Sequence, residues 1–122
     1  MRTPLRTAAA SLFVLVLLAG PSSARSAEAG PPRVVEITAK RFEFTPKEIT
    51  LKKGETVTLR VHSEDVTHGF FSKKLGIDAD IVPGKALDLT VTPAEAGSFN
   101  VICNHFCGAG HANMKMKVVV AE

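Results

Sequence analysis

The chain has 122 residues, 45% of them hydrophobic and 22% charged, with a formal net charge of +3. Beyond an apolar leader, residues 30–122 suffice for one domain with one core and are too few for two. Arg2 and Arg6 belong to the leader, so the domain is close to neutral by formal count; with its lysines scattered apart from Lys52-Lys53 and Lys73-Lys74, it offers no basic face for nucleic acid.

In chain order, the first element is the leader itself. Arg2 and Arg6 precede the apolar run "AAASLFVLVLLAG", and the small and polar "PSSARSAEAG" follows it. A charged start, a short apolar middle and small residues predict a secretory signal peptide over residues 1–29. Cleavage after Ala24 (Ser22-Ser23-Ala24) and after Ala29 (Ala27-Glu28-Ala29) both satisfy the small-residue rule. The run falls short of the ~20 residues that span a bilayer. The expectation is an exported domain at 30–122, periplasmic, and membrane-tethered if the leader is retained.

After the helix-blocking "GPP" come short alternating runs. Val35, Ile37 and Ala39 alternate in the first, and Phe42 and Phe44 in an extended piece ending near Pro46. Ile49 and Leu51 lead into the turn "KKGE". Val57, Leu59 and Val61 then alternate with Thr58, Arg60 and His62, the pattern of a half-buried strand. "VPGK" is a turn, Leu87, Leu89 and Val91 alternate after it, and "TPAEAG" is another turn. Phe99, Val101 and Cys103 share one face of the next strand. Met114 is expected to open the last strand, in which Met116, Val118 and Val120 face inward. No window has the period of an ordinary amphipathic helix. The reading is all-β, a sandwich of about seven or eight strands.

The densest chemistry lies in "CNHFCGAGHANM", Cys103–Met114. It holds both cysteines of the chain, two of its four histidines and one of its three methionines. Taken alone, two cysteines in an exported chain favour a disulfide. Their neighbours point elsewhere, because thiolate, thioether and imidazole together suit copper. His68, in "SEDVTHGFF", supplies a further nitrogen from 35 residues upstream. His62 reads as a surface histidine and Met116 as core. Asp65 is a candidate for a hydrogen bond to the ligand loop or for a plain turn. Gly108 and Gly110 allow a tight backbone in the loop.

The pairing of "DVTHGF" with "CNHFCGAGHANM", together with "FEFTPKEITLKKGETVTLRV", resembles the cupredoxin domain that carries the binuclear CuA centre, as in subunit II of cytochrome c oxidase and in nitrous oxide reductase. The resemblance covers Arg33 to Glu122. It implies a cupredoxin-like Greek-key β-sandwich, two copper ions and an electron-transfer role without a catalytic site of its own. By position, it implies that Cys103 and Cys107 bridge both ions, that His68 and Met114 complete one, and that His111 and the backbone carbonyl of His105 complete the other. Redox protein donors and acceptors are the implied partners.

The sequence departs from that pattern in two ways. The residue between the cysteines is His105 where oxidase subunits carry glutamate, which leaves the carbonyl available but removes a docking carboxylate. There is neither tryptophan nor tyrosine for an aromatic electron-entry patch. A core subunit of a standard oxidase is therefore not expected. Three functions compete: an electron carrier, a periplasmic copper chaperone or delivery protein binding Cu(I) through the same ligands, and a structural domain with a Cys103–Cys107 disulfide. Hydrolysis has no Ser-His-Asp set or carboxylate pair to support it, and a metal closed by protein ligands leaves no open position.

Overall fold

The computed structural model describes Gly20 and residues 30–122. The expected signal peptide, Gly20 apart, lies outside the described residues. Nine strands follow in order: β1 (Arg33–Lys40), β2 (Glu43–Thr45), β3 (Glu48–Lys52), β4 (Val57–Ser63), β5 (His68–Ser72), β6 (Ile77–Ile81), β7 (Leu87–Val91), β8 (Gly97–Ile102) and β9 (Lys115–Ala121). They form a four-stranded sheet in the order β2-β1-β4-β7 and a five-stranded sheet in the order β3-β9-β8-β5-β6. The chain crosses between the sheets after β2, β3, β4, β6 and β7. The helical content of the described residues is one short 3-10 turn, His111–Asn113.

Alternation builds both sheets. In β4 every second residue, Val57, Leu59 and Val61, is buried, while Thr58, Arg60 and His62 stay partly exposed. In β9 Met116, Val118 and Val120 are buried, while Lys115, Lys117 and Val119, which alternate with them, are exposed or half-buried. The inner faces meet in one core, and Phe44 of the first sheet stands edge-on to Phe70 of the second, with ring centroids 5.4 Å apart and planes at 77°. Edge contacts of this kind add ~0.5–1.5 kcal/mol to the burial itself. The "KKGE" turn between β3 and β4 needs its glycine, because Gly54 has φ +77°, a region other residues avoid. On the solvent face of the first sheet, Arg60 and Asp88 are directly opposite in the β4–β7 ladder and pair through two hydrogen bonds of 2.8 and 3.0 Å.

Two expectations differ in detail. Strand number is nine because β5 and β6 form a hairpin, with His68 opposite Ile81, in a stretch where Phe70 and Phe71 obscure any simple alternation. Phe42 does not share the face of Phe44. It lies in the turn between β1 and β2 and is 40% exposed, whereas Phe44 is fully buried.

The register of β8 and β9 sets the position of the ligand loop. Their last ladder pair is Ile102 with Lys115, and one step beyond it the Cys103 N–H donates to the Met114 carbonyl at 3.0 Å. Residues 104–113 are therefore an arch whose two feet, Cys103 and Met114, are fixed by the sheet. Met114 ends the arch rather than opening the strand, since β9 begins at Lys115.

Candidate metal centre

Side chains from two parts of the chain converge at the end of the second sheet where this arch projects. His68 opens β5, Cys103 and Met114 are the feet of the arch, and Cys107 and His111 lie along it. The donor atoms of His68, Cys103 and Cys107 all lie within 4.8 Å of one another, and all three residues are buried. Cys103 and Cys107 are free thiols with their sulfurs 3.6 Å apart. The Met114 Sδ is 3.8 Å and the His111 Nδ1 4.0 Å from the Cys107 Sγ. On the other side, the His105 carbonyl oxygen lies 3.1 Å from the Cys103 Sγ. Nitrogen and sulfur donors ~2.0–2.3 Å from one ion sit roughly 3–4 Å apart, the range of the Cys103–Cys107, Cys107–Met114 and Cys107–His111 separations.

His68 tests whether a metal fits. Its Nε2 lies 2.7 Å from the Asp65 Oδ1. Partial burial pushes the Asp65 carboxyl up, but hydrogen bonds from the Arg41 backbone N–H, from His68 and from the Val66 N–H outweigh it and bring it down to about 2. Asp65 is thus an anion at neutral pH that accepts from Nε2, and a neutral imidazole with its proton there keeps its lone pair on Nδ1. Among the described residues, that Nδ1 is buried with no hydrogen-bond partner. A buried polar atom is rarely left unpaired, because desolvation without a partner costs ~1–3 kcal/mol. An orphaned lone pair beside two thiols and a thioether has the chemistry of a soft-metal ligand, and copper fits this donor set.

Asp65 therefore bonds to His68 itself, a role its position in the sequence did not suggest, and not to the ligand loop. Its hydrogen bond to the outer nitrogen is the usual way a metal-binding histidine is oriented. The acidic residue is in turn fixed by the Arg41 N–H at 2.7 Å and the Val66 N–H at 2.7 Å. Burial, with the neighbouring Cys103, pushes the Cys107 thiol up. In the metal-free protein it is consequently a protonated thiol at neutral pH, and a metal must displace that proton.

Close approach explains Gly69, which sequence reasoning did not single out. A Cβ there would meet the Asn104 side chain, the Asn104 N at 2.6 Å and the His105 N at 2.5 Å. Its own N–H points at the Cys103 sulfur, 3.4 Å away. The bare backbone lets β5 and the arch pack directly against each other. Arg41 was also missed, and it donates from Nε to the Cys107 carbonyl at 2.8 Å. Its place in sequence, 66 residues before Cys107, carries no motif that would have linked the two.

The remaining histidines separate cleanly. The His105 ring turns outward, with Nδ1 3.5 Å from the Asp80 Oδ1, so only its carbonyl reaches the cluster. His62 is outside it, bonded to the Thr38 hydroxyl at 3.1 Å. Met116 is core. Above Cys107 a cleft of about 230 Å³ opens to solvent, lined by Arg41, Val66, Thr67, His105 and Phe106.

Residues 8–120 match the family described as "Cupredoxin-like domain". The chain is 32% identical over 96 residues to cytochrome c oxidase subunit 2 of Thermus thermophilus, covering 78% of this chain and 71% of that one. It is 34% identical over 90 residues to the nitrous-oxide reductase of Cupriavidus necator, covering 70% of this chain but spanning only 14% of the reductase. Among solved structures, the periplasmic domain of subunit II of cytochrome oxidase of Bradyrhizobium japonicum superposes with a TM-score of 0.67 at 21% identity, covering 74% of this chain and 84% of that one.

Proposed function

This chain belongs to the cupredoxin-like domain family, homologous to the CuA domains of cytochrome c oxidase subunit II and nitrous oxide reductase, and we propose that it is an exported electron-transfer protein with a binuclear CuA-like copper centre. The observation that carries the reading is the orphaned Nδ1 of His68 beside two free, buried thiols. In this reading Cys103 and Cys107 would serve both of two copper ions, His68 and Met114 would hold one of them, and His111 with the His105 carbonyl would hold the other.

Two thiolates shared between two coppers supply a centre in which one electron spreads over both ions, so that little geometry changes on transfer. The protein's own contribution is rigidity. Cys103 and Met114 are held at the feet of the arch by the β8–β9 ladder, and His68 is held by β5 and by Asp65. The Gly69 N–H directed at the Cys103 sulfur tunes the electron density of that thiolate. Exchange partners are a redox protein donor and acceptor. The leader at 1–29 would take the domain to the periplasm, and among the described residues no helix is long and apolar enough to cross a membrane.

A second reading, delivery of Cu(I) to a receiving protein, is favoured by the solvent-open cleft that Cys107 helps to line. Copper stoichiometry with the EPR spectrum of the reduced, copper-loaded domain after exposure to air separates the two. Two coppers per chain sharing one unpaired electron are expected for the CuA-like centre. One copper, or EPR-silent copper readily lost to a chelator, would move the protein to delivery.

A further inference from the structure

We infer that Arg41 is a positioning residue for the centre, tying the His68 side of the cluster to the Cys107 side. The inference rests on the copper reading above. Arg41 lies in the turn between β1 and β2, in the sheet opposite the one that carries the cluster. It reaches across with two different donors. Its backbone N–H donates to the Asp65 Oδ2 at 2.7 Å, and Asp65 in turn holds the His68 Nε2 at 2.7 Å. Its guanidinium Nε donates to the Cys107 carbonyl at 2.8 Å.

The two halves of the donor set come from separate parts of the chain, β5 and the arch. The position of a cysteine sulfur follows from the placement of its backbone, so a fixed Cys107 carbonyl restricts where its Sγ lies. A hydrogen bond from an ionised donor is shorter and stronger than a neutral one, which suits it to hold the middle of a loop whose first residues are tied to β6 through Asn104–Asp78 and His105–Asp80. The neighbouring residue adds to the grip. A Cβ on Gly108 would stand 2.9 Å from the Phe42 ring, and one on Gly110 would stand 2.5 Å from it. The turn Arg41-Phe42 therefore contacts the arch at Cys107, Gly108 and Gly110 in succession. Phe42 remains 40% exposed, so this contact serves the loop more than the core.

Lysine does not reproduce the arrangement, because the Arg41 bond comes from a planar Nε partway along the side chain. Arg41→Lys keeps the charge and loses that directed donor, whereas Arg41→Ala loses both. The test compares wild type, Arg41→Ala and Arg41→Lys in two measurements. The first is backbone hydrogen exchange at residues 104–110 in the metal-free protein. The second is the rate at which the copper-loaded protein loses metal to a chelator.

Arg41→Ala is expected to speed exchange in 104–110 several-fold while β4 and β9 keep wild-type rates, and to speed copper loss about tenfold, the lower end of what loss of an outer partner costs. Arg41→Lys should lie between the two. Unchanged loop exchange and copper loss overturn the inference, and so does a uniform rise that includes β4 and β9. If the wild type takes up no copper but Arg41→Ala still loosens 104–110, the copper reading fails and the hold of Arg41 on the arch stands. If Arg41→Ala does not fold, Arg41→Gln, which keeps most of the side chain, is read by the same criteria.

Discussion

The Nε2 of His68 lies 2.7 Å from the Oδ1 of Asp65, and the ring nitrogen on the opposite side is buried without a partner. The carboxylate thus decides which nitrogen keeps a lone pair in the neutral ring. Asp65→Asn replaces a charged acceptor with a neutral amide that accepts more weakly and presents a donor of its own. Copper affinity is expected to fall 10–100-fold, the usual loss when the outer partner of a ligand histidine is removed. Nitrogen-15 NMR of the metal-free variant should show His68 shifting from a single tautomer to a mixture. A single, unaltered tautomer would remove Asp65 from the account.

Cys103→Ser and Cys107→Ser each take away one of two sulfurs that lie 3.6 Å apart. Either variant is expected to lose the state in which one unpaired electron is shared by two copper nuclei, leaving at most a mononuclear EPR spectrum. A wild-type spectrum in either variant would sink the dicopper reading.

Met114 is 1% exposed, and its sulfur is 3.8 Å from that of Cys107. Leucine conserves most of its volume, so Met114→Leu should cost less than ~1.5 kcal/mol in chemical denaturation of the metal-free protein. The loaded variant should keep both coppers with a changed reduction potential, because the thioether is a weak ligand. Loss of both coppers on titration would show instead that Met114 is required to hold them.

Gly69→Ala places a methyl against the backbone nitrogens of Asn104 and His105, at 2.6 and 2.5 Å. Backbone at both ends cannot swing aside as a side chain would. We expect a loss of ~1–3 kcal/mol, the range for overpacking a filled site, with copper retention reduced in parallel. Urea denaturation of the metal-free protein measures the first and chelator competition the second; an unperturbed variant would mean that the arch and β5 separate easily.

The Arg60–Asp88 pair gives a pH dependence remote from the His68–Cys107 cluster. Hydrogen bonding to Arg60, and its charge, hold the Asp88 carboxyl below the usual value of 3.8. A carboxyl depressed in the folded state adds stability that is fully present above its unfolded value and lost as the pH falls through the folded one. The gap in urea midpoint between wild type and Asp88→Asn should therefore be small at neutral pH and close below about pH 4. A gap that persists at pH 2 would assign the effect to something other than ionisation.

Where burial follows a period of two, the fold was legible. Val57, Leu59 and Val61, and likewise Met116, Val118 and Val120, fall on the core side as their alternation implies. The convergence of the predicted donors was also legible, since Cys103, Cys107, His111 and Met114 lie in one short loop and the spacing to His68 matches a known pattern. Local pattern does not carry the contacts between segments. Arg41 meets Cys107 only because β1 of one sheet ends beside the arch of the other, and nothing in the sequence around either residue encodes that meeting. Gly69 was overlooked because its role depends on what packs above it. Phe42 was assigned to a strand face because alternation cannot tell a tight turn from one more step of β structure.

The sheet order places β9 between β3 and β8, although it is made after both. During synthesis, Cys103 and Cys107 are therefore present before the strand that completes their sheet and fixes Met114 beside them. In that interval two neighbouring thiols lack the packing that later buries them, and any oxidant present competes with folding for them. The yield of protein with both thiols free should then depend on how fast residues 115–121 close the sheet, so that the order in which the strands emerge bears on the state of the two thiols as well as on the finished fold.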